Sequence, residues 1–350
     1  MDYLAAMDRE MELTAAKLRP ERIDTIFVGG GTPTVLTPEQ MDYFLQSVQR
    51  HFPFDASRTE FTMEANPGTT DADKLAVMKQ GGVNRLSFGV QSFNNSLLHR
   101  IGRIHTTDDV YRSLELARSA GFDNLTIDLM FGLPGQTLDN LEHSIAEALK
   151  QDLRHYSIYG LKVEENTLFH TLYQKNRLPL PSEEEEFAMY QLIMTRLAES
   201  GYRQYEISNF AQPGYESRHN NTYWRNEPYY GIGAGAHGYA ARTRHVNVRG
   251  VADYIAAAAE GLPRAEEFAV STDEAKEDFM MVGLRLLDGI RNSDYQNQFG
   301  EPMEVAFGPV LERLTAKSLL EPTEDGYRLT AEGVLLGNEV FGAFIGVLVD

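Results

Sequence analysis

The chain has 350 residues, 42% of them hydrophobic, and a formal net charge of −19 at pH 7. That length suits one large α/β domain plus a smaller one, and that apolar fraction excludes a disordered chain. A field of this sign repels nucleic acid and anionic membrane surfaces, which reward basic patches. Without cysteine there is no disulfide and no thiolate metal site. There is also no long apolar span and no basic-then-apolar leader, so a cytoplasmic protein without an integral membrane segment is expected.

Residues 1–18 predict a helix, with Leu4, Met7, Met11, Ala15 and Leu18 at helical spacing. No N-cap residue opens it and no strand precedes it, so a sheet that lacks its first strand is expected. Strands are then predicted at 25–28, 60–64, 85–90, 124–130 and 156–161, with helices between them at 38–51, 70–81, 107–120 and 138–150. Thr37 and Thr137 mark helix starts, and Gly81-Gly82 and Gly121 mark helix ends. Such strand-then-helix units imply right-handed crossovers and a parallel sheet. Polar residues recur after every strand, which favours a partial (β/α) TIM-like barrel over a doubly wound sheet with one switch point.

After about residue 165 the rhythm changes. Residues 179–186, with two prolines and four successive glutamates, read as a linker, 187–200 as a helix and 205–247 as irregular. Helices at 272–287 and 305–317, a turn at Asp325-Gly326 and a last helix predict a winged-helix-like C-terminal domain, too acidic to bind DNA. The expected division is a barrel core over 1–165, a connecting region over 166–270 and the C-terminal domain over 271–350.

Gly29-Gly30-Gly31-Thr32-Pro33-Thr34 follows the first strand. Three glycines let the backbone approach a ligand closely and expose its polar groups. There is no Gly-Lys-Ser/Thr, so this is no P-loop; a plain tight turn is the alternative. Glu64, ahead of Asn66-Pro67, stands where a carboxylate accepts from ribose hydroxyls or caps a helix. Gln91 closes the third strand, where a buried amide needs partners. Arg103 suits a bidentate carboxylate or a surface ion pair. Asp128, inside the apolar Ile127-Asp128-Leu129, is costly to bury unless paired or bound to a ligand.

The glycine loop, Glu64-x-x-Pro67, Gly89-Val90-Gln91-Ser92-Phe93, Gly102-Arg103-x-His105 and Asp128-Leu129-Met130-Phe131-Gly132-Leu133-Pro134-Gly135-Gln136-Thr137 stand in one order and spacing. Over essentially the whole chain they resemble the radical S-adenosylmethionine (SAM) enzymes of the oxygen-independent coproporphyrinogen III oxidase family. The resemblance implies that Gly30, Gly31, Thr32, Glu64, Gln91, Arg103 and Asp128 contact SAM. His219-Asn220-Asn221-Thr222-Tyr223-Trp224 is similar to the signature of the family's haem chaperone (HemW-like) branch, whose members bind haem and pass it to acceptor haemoproteins. It implies haem contact by His219, Tyr223 and Trp224. An imidazole can ligate haem iron and the aromatic rings can pack on the macrocycle, although a lone histidine is more often a structural residue. His237, behind Gly231, Gly233 and Gly235, is implied to lie near the cofactor.

The family's Cys-x3-Cys-x2-Cys loop, which holds a [4Fe–4S] cluster, is absent. The chain as it stands is therefore expected neither to assemble a cluster nor to cleave SAM, and no catalytic residue is assigned. A longer natural protein, with one more strand and the cluster loop, is the expected explanation. The expected function is that of a haem chaperone on a radical SAM scaffold, with haem and acceptor haemoproteins as partners. The alternatives are coproporphyrinogen III oxidase activity in porphyrin biosynthesis, and a cluster-free haem- or nucleoside-binding protein.

Overall fold

The computed structural model describes residues 1–348. Its first half runs α1 (Asp2–Leu18), β1 (Thr25–Val28), α2 (Pro38–His51), β2 (Glu60–Ala65), α3 (Ala72–Gln80), β3 (Arg85–Gln91), α4 (Asn95–Arg100), α5 (Thr107–Ser119), β4 (Asn124–Phe131), α6 (Leu138–Leu149) and β5 (His155–Gly160). The helices start on side chains that satisfy their first free N–H groups. Thr37 accepts from Gln40 N at 3.3 Å, Asp71 from Lys74 N at 2.8 Å and Thr137 from Asn140 N at 3.2 Å. On α2 the buried residues Met41, Phe44, Leu45 and Val48 form one stripe against the sheet. The strands pair in sequence order, all parallel.

Next come α7 (Leu168–Gln174), α8 (Glu183–Glu199), β6 (Arg203–Glu206) and β7 (Asn209–Ala211). The last two strands are antiparallel and complete a curled seven-strand half-barrel in the order β1-β2-β3-β4-β5-β7-β6. The linker expected at 179–186 is corrected here. Ser182 and Glu185 form a capping box, and Glu183 to Glu186 are the first turn of α8, where carboxylates are favoured by the helix dipole.

The segment expected to be irregular is ordered by pairings that its composition does not announce. It holds β6, β7, α9 (Arg218–Trp224), β8 (His237–Ala240) and β9 (Thr243–Asn247). After α10 (Val251–Glu260), β10 (Arg264–Ala269) completes a three-stranded antiparallel sheet with β9 and β8. Glu10 anchors α1 to this layer. Its fully buried carboxylate accepts from Gly233 N at 2.8 Å, Asn247 Nδ2 at 2.7 Å, Tyr254 Oη at 2.5 Å and Arg264 Nη1 at 3.2 Å. A buried charge persists only with such a full set of partners.

The C-terminal part comprises α11 (Thr272–Gly283), β11 (Ile290–Arg291), α12 (Asn292–Phe299), α13 (Met303–Ala316), the hairpin β12 (Leu320–Thr323) and β13 (Gly326–Leu329), α14 (Ala331–Leu335) and α15 (Gly337–Gly342). It packs a core of its own around Tyr295, Phe307, Leu311 and Phe344. The predicted helices and wing are present; β11 and α12 are additions, because β11 is only two residues long and gains its pairing from the wing strand β13.

Candidate functional site

The carboxyl ends of the parallel strands bring the first group of predicted residues together. Gly30, Gly31 and Thr32 lie in the loop after β1, Glu64 near the end of β2, Gln91 at the end of β3, Asp128 in β4, and Arg103 just beyond α4. Glu64 Oε2 accepts from Gly30 N at 3.2 Å. A Cβ on Gly29 would lie 2.6 Å from the Glu64 carboxyl carbon and 2.6 Å from Phe27, so the loop hugs Glu64 only as glycine. Beyond it, a Cβ on Gly31 would meet no protein atom within 4 Å.

One asparagine links three strand ends. Asn66 Nδ2 donates to Thr32 Oγ1 at 2.6 Å, and its Oδ1 accepts from Arg103 Nη2 at 2.7 Å. The same Arg103 nitrogen donates to Gly89 O at 2.7 Å. A Cβ on Gly89 would lie 3.1 Å from polar atoms of Arg103, Asn66 and Gln91, so the missing side chain leaves a polar cradle. Gln91 itself holds a left-handed φ of 67° at a bulge between β3 and β4, which turns its amide out of the strand's regular alternation.

Beneath the cradle, both oxygens of Asp128 lie 3.1 Å from Ser87 Oγ, which donates to them. Burial raises the Asp128 carboxyl above its usual range, against the hydrogen bonds from Ser157 and Ser87. Burial, with the neighbouring Asp128 charge, pushes Glu64 up to about 7. Burial lowers Arg103, and Asp128 opposes that shift. Two carboxylates that compete for charge, one guanidinium and an open glycine loop can bind hydroxyls, an amino group and a carboxylate. These are the functional groups of SAM, so the residues present fit that cofactor. Asn66, Ser87 and Ser157 were not predicted as site residues; Asn66 stood beside a predicted one, and the two serines carry no motif.

No such fit exists for a cluster. The chain has no cysteine, and among the described residues no group of three or more His, Cys, Asp or Glu side chains could hold a metal.

The second group of predicted residues lies at the opposite, amino end of the strands. Glu60, the first residue of β2, accepts from Arg218 N and His219 N at 3.0 Å each and seats the start of α9 there. His219 stacks on Phe27 with ring centroids 5.2 Å apart. Its Nδ1 lies 2.8 Å from Thr25 Oγ1 and its Nε2 2.8 Å from Tyr223 Oη. Burial pushes its pKa down to about 4, so the ring is neutral near pH 7. Trp224 lies in a cleft of about 630 Å³ facing the C-terminal part, with the Arg285 guanidinium 4.4 Å from its ring centroid. His237 is exposed at the start of β8. Among the described residues no helix is long and apolar enough to cross a membrane.

Residues 5–148 match the radical SAM superfamily and residues 270–336 the HemN C-terminal domain. A relative from Bacillus subtilis (strain 168), named heme chaperone HemW, is 49% identical over 99% of this chain and 92% of its own length. Proteins of the same name from Lactococcus lactis and Escherichia coli K12 are 41% identical over 93% of this chain and 85% of theirs, and 33% identical over 98% and 90%. Coproporphyrinogen III oxidase (HemN) from Escherichia coli, described as a radical SAM enzyme, matches in fold. Its TM-score is 0.83 at 23% identity, over 98% of this chain and 82% of that one. The chain belongs to the HemW family of the radical SAM superfamily.

Proposed function

We propose that this HemW-family chain binds haem and delivers it to acceptor haemoproteins from the cytoplasm, with SAM held at the strand rim. The observation that carries the reading is a likeness of 49% identity to a heme chaperone over 99% of this chain. It includes both the rim and α9. When bound, SAM supplies a cationic sulfonium and an amino-acid end. The chain's residues then do three things: Glu64 and Asp128 accept hydrogen bonds, Arg103 pairs a carboxylate, and the Gly30-Gly31 backbone makes room. Gln91 and Thr32 complete the set of proposed SAM contacts. No step is routed through a cluster, since no thiolate is present to hold one.

Haem is assigned to the segment from His219 to Trp224, whose two faces differ. The test is transfer: haem-loaded chain mixed with an apo-haemoprotein should convert it to the holo form faster than haem presented on serum albumin. A rate equal to the albumin control, or decarboxylation of coproporphyrinogen by this chain, would replace the chaperone reading.

A further inference from the structure

We propose that Arg85, buried one layer beneath the rim, is a positioning residue for SAM: its guanidinium is the counter-charge that keeps Asp128 in the ionised form that accepts from the cofactor. This rests on the SAM reading above and adds to it a residue that touches no ligand.

Arg85 opens β3 and is 2% exposed. Its guanidinium donates to Thr62 Oγ1 at 3.4 Å and to Thr126 Oγ1 at 3.3 Å, both long bonds to neutral hydroxyls. Its Nε has no hydrogen-bond partner, and among the described residues it forms no ion pair. A buried cation so weakly partnered is a cost to the fold. It completes nothing where it sits, so it acts through its field.

That field falls on the rim. Thr62 and Thr126 stand two positions before Glu64 and Asp128 on the same faces of β2 and β4, about 7 Å down each strand. The register sets these rows side by side, Thr62 against Arg85 and Ser87 against Thr126. Arg85 thus spans the strands beneath both carboxylates, and Ser87, two residues above it on β3, donates to both oxygens of Asp128.

Asp128 faces titratable groups from four sides: Glu64 on β2, Arg85 on β3, Arg103 from beyond α4 and Tyr159 on β5. Burial raises the Tyr159 phenol, and it holds His155, two residues below on β5, well under the usual histidine range, so both are neutral. Burial also drives Asp128 towards its neutral form; Ser157 and Ser87 oppose this, followed by Arg85 and then Arg103. Arg103 already donates to Asn66 and Gly89, and it is the group proposed for the cofactor's carboxylate. Once that carboxylate is bound, Arg85 is the cation left to Asp128. An ionised Asp128 offers acceptors on both oxygens, whereas a protonated one turns one of them into a donor.

The test is calorimetric titration with SAM from about pH 5 to about pH 9, on the wild type, Arg85→Met, Arg85→Lys, and Asp128→Asn with and without Arg85→Met. The same chains labelled with [γ-13C]aspartate are titrated without ligand, Asp128 being the resonance lost in Asp128→Asn. Arg85→Met should bind SAM about tenfold more weakly at the acid end and within about twofold of wild type at the alkaline end. Its Asp128 resonance should titrate at a higher pH than in the wild type. Arg85→Lys should restore both, and Arg85→Met should change nothing further in the Asp128→Asn background. An apolar side chain of similar size is tolerated in place of a buried charge, so Arg85→Met should melt at or above the wild-type temperature; Arg85→Gln serves as a second neutral variant. An affinity loss equal at every pH, or an unmoved Asp128 resonance, would overturn the role of Arg85. A wild-type chain that binds no SAM at any pH would overturn the SAM reading, and the resonance would then decide the hold of Arg85 on Asp128 by itself.

Discussion

Nη2 of Arg103 donates to Oδ1 of Asn66 at 2.7 Å, and through that bond a residue from beyond α4 is held at the end of β2. The amide's other end reaches Thr32 at 2.6 Å. The glycine loop, the second strand and the arginine are thus positioned by one uncharged side chain between them. Asn66 thus ties Thr32, 34 positions before it, to Arg103, 37 positions after it.

Replacing Asn66 by Ala should therefore loosen both Thr32 and Arg103. Arg103 then keeps only its bond to Gly89 O; losing the other costs about 1 kcal/mol, and a loss of that size in the ordering of the rim lowers affinity for SAM about fivefold. Calorimetric titration with SAM reads this directly; unchanged affinity would remove Asn66 from the rim's organisation.

Two adjacent glycines should respond differently to alanine. At Gly29 the new Cβ would meet the Glu64 carboxyl and Phe27 at 2.6 Å, while at Gly31 it meets no protein atom within 4 Å. Gly29→Ala should lower the melting temperature and displace Glu64. Gly31→Ala should leave the melting temperature unchanged and lower SAM affinity, because its Cβ would enter the space proposed for SAM. A Gly31→Ala protein that binds SAM at full strength would place the cofactor elsewhere.

Glu64 gives the fold a pH dependence of defined sign. Its folded pKa, near 7, lies above the ordinary 4.5, so the folded state holds a proton that the unfolded chain has released between these values. Stability from this group is present below pH 4.5 and falls as pH rises towards 7. Asp128, also raised by burial, acts in the same direction. Glu64→Gln should flatten the decline of melting temperature across that window. An unaltered slope would mean that Glu64 titrates normally.

Glu10 should be the costliest single carboxylate to remove. Glu10→Ala leaves Arg264, Tyr254 and Asn247 without their shared acceptor, a loss of about 3–5 kcal/mol for a broken buried pair. Urea denaturation should show that loss, and limited proteolysis should cut first in α1. Wild-type stability in this variant would contradict the anchoring role.

Much of the half-barrel is legible in the sequence because the parallel strands are apolar runs with glycine or polar residues at their carboxyl ends, and crossover helices such as α2, α3 and α6 carry their own caps. Thr37 and Thr137 mark α2 and α6 at the residue where they begin. The start of α8 is legible too, since Ser182 followed by Glu185 is a capping box, a signal the linker reading of 179–186 did not use. The Glu10 anchor was not legible. Its four partners come from residues 233–264, and nothing local distinguishes it from a solvated helix glutamate. The orientation of α9 was hidden for the same reason: a motif names His219 and Trp224 together, whereas Glu60, 159 positions away from His219, decides which of them faces the barrel.

The measurement that bears most directly on the account is an equilibrium titration of the purified chain with haem, followed in the Soret band against a bovine serum albumin control. A haem chaperone forms a saturable complex of one haem per chain, from which an apo-haemoprotein removes the haem. A linear, unsaturated response, with no transfer, would contradict it.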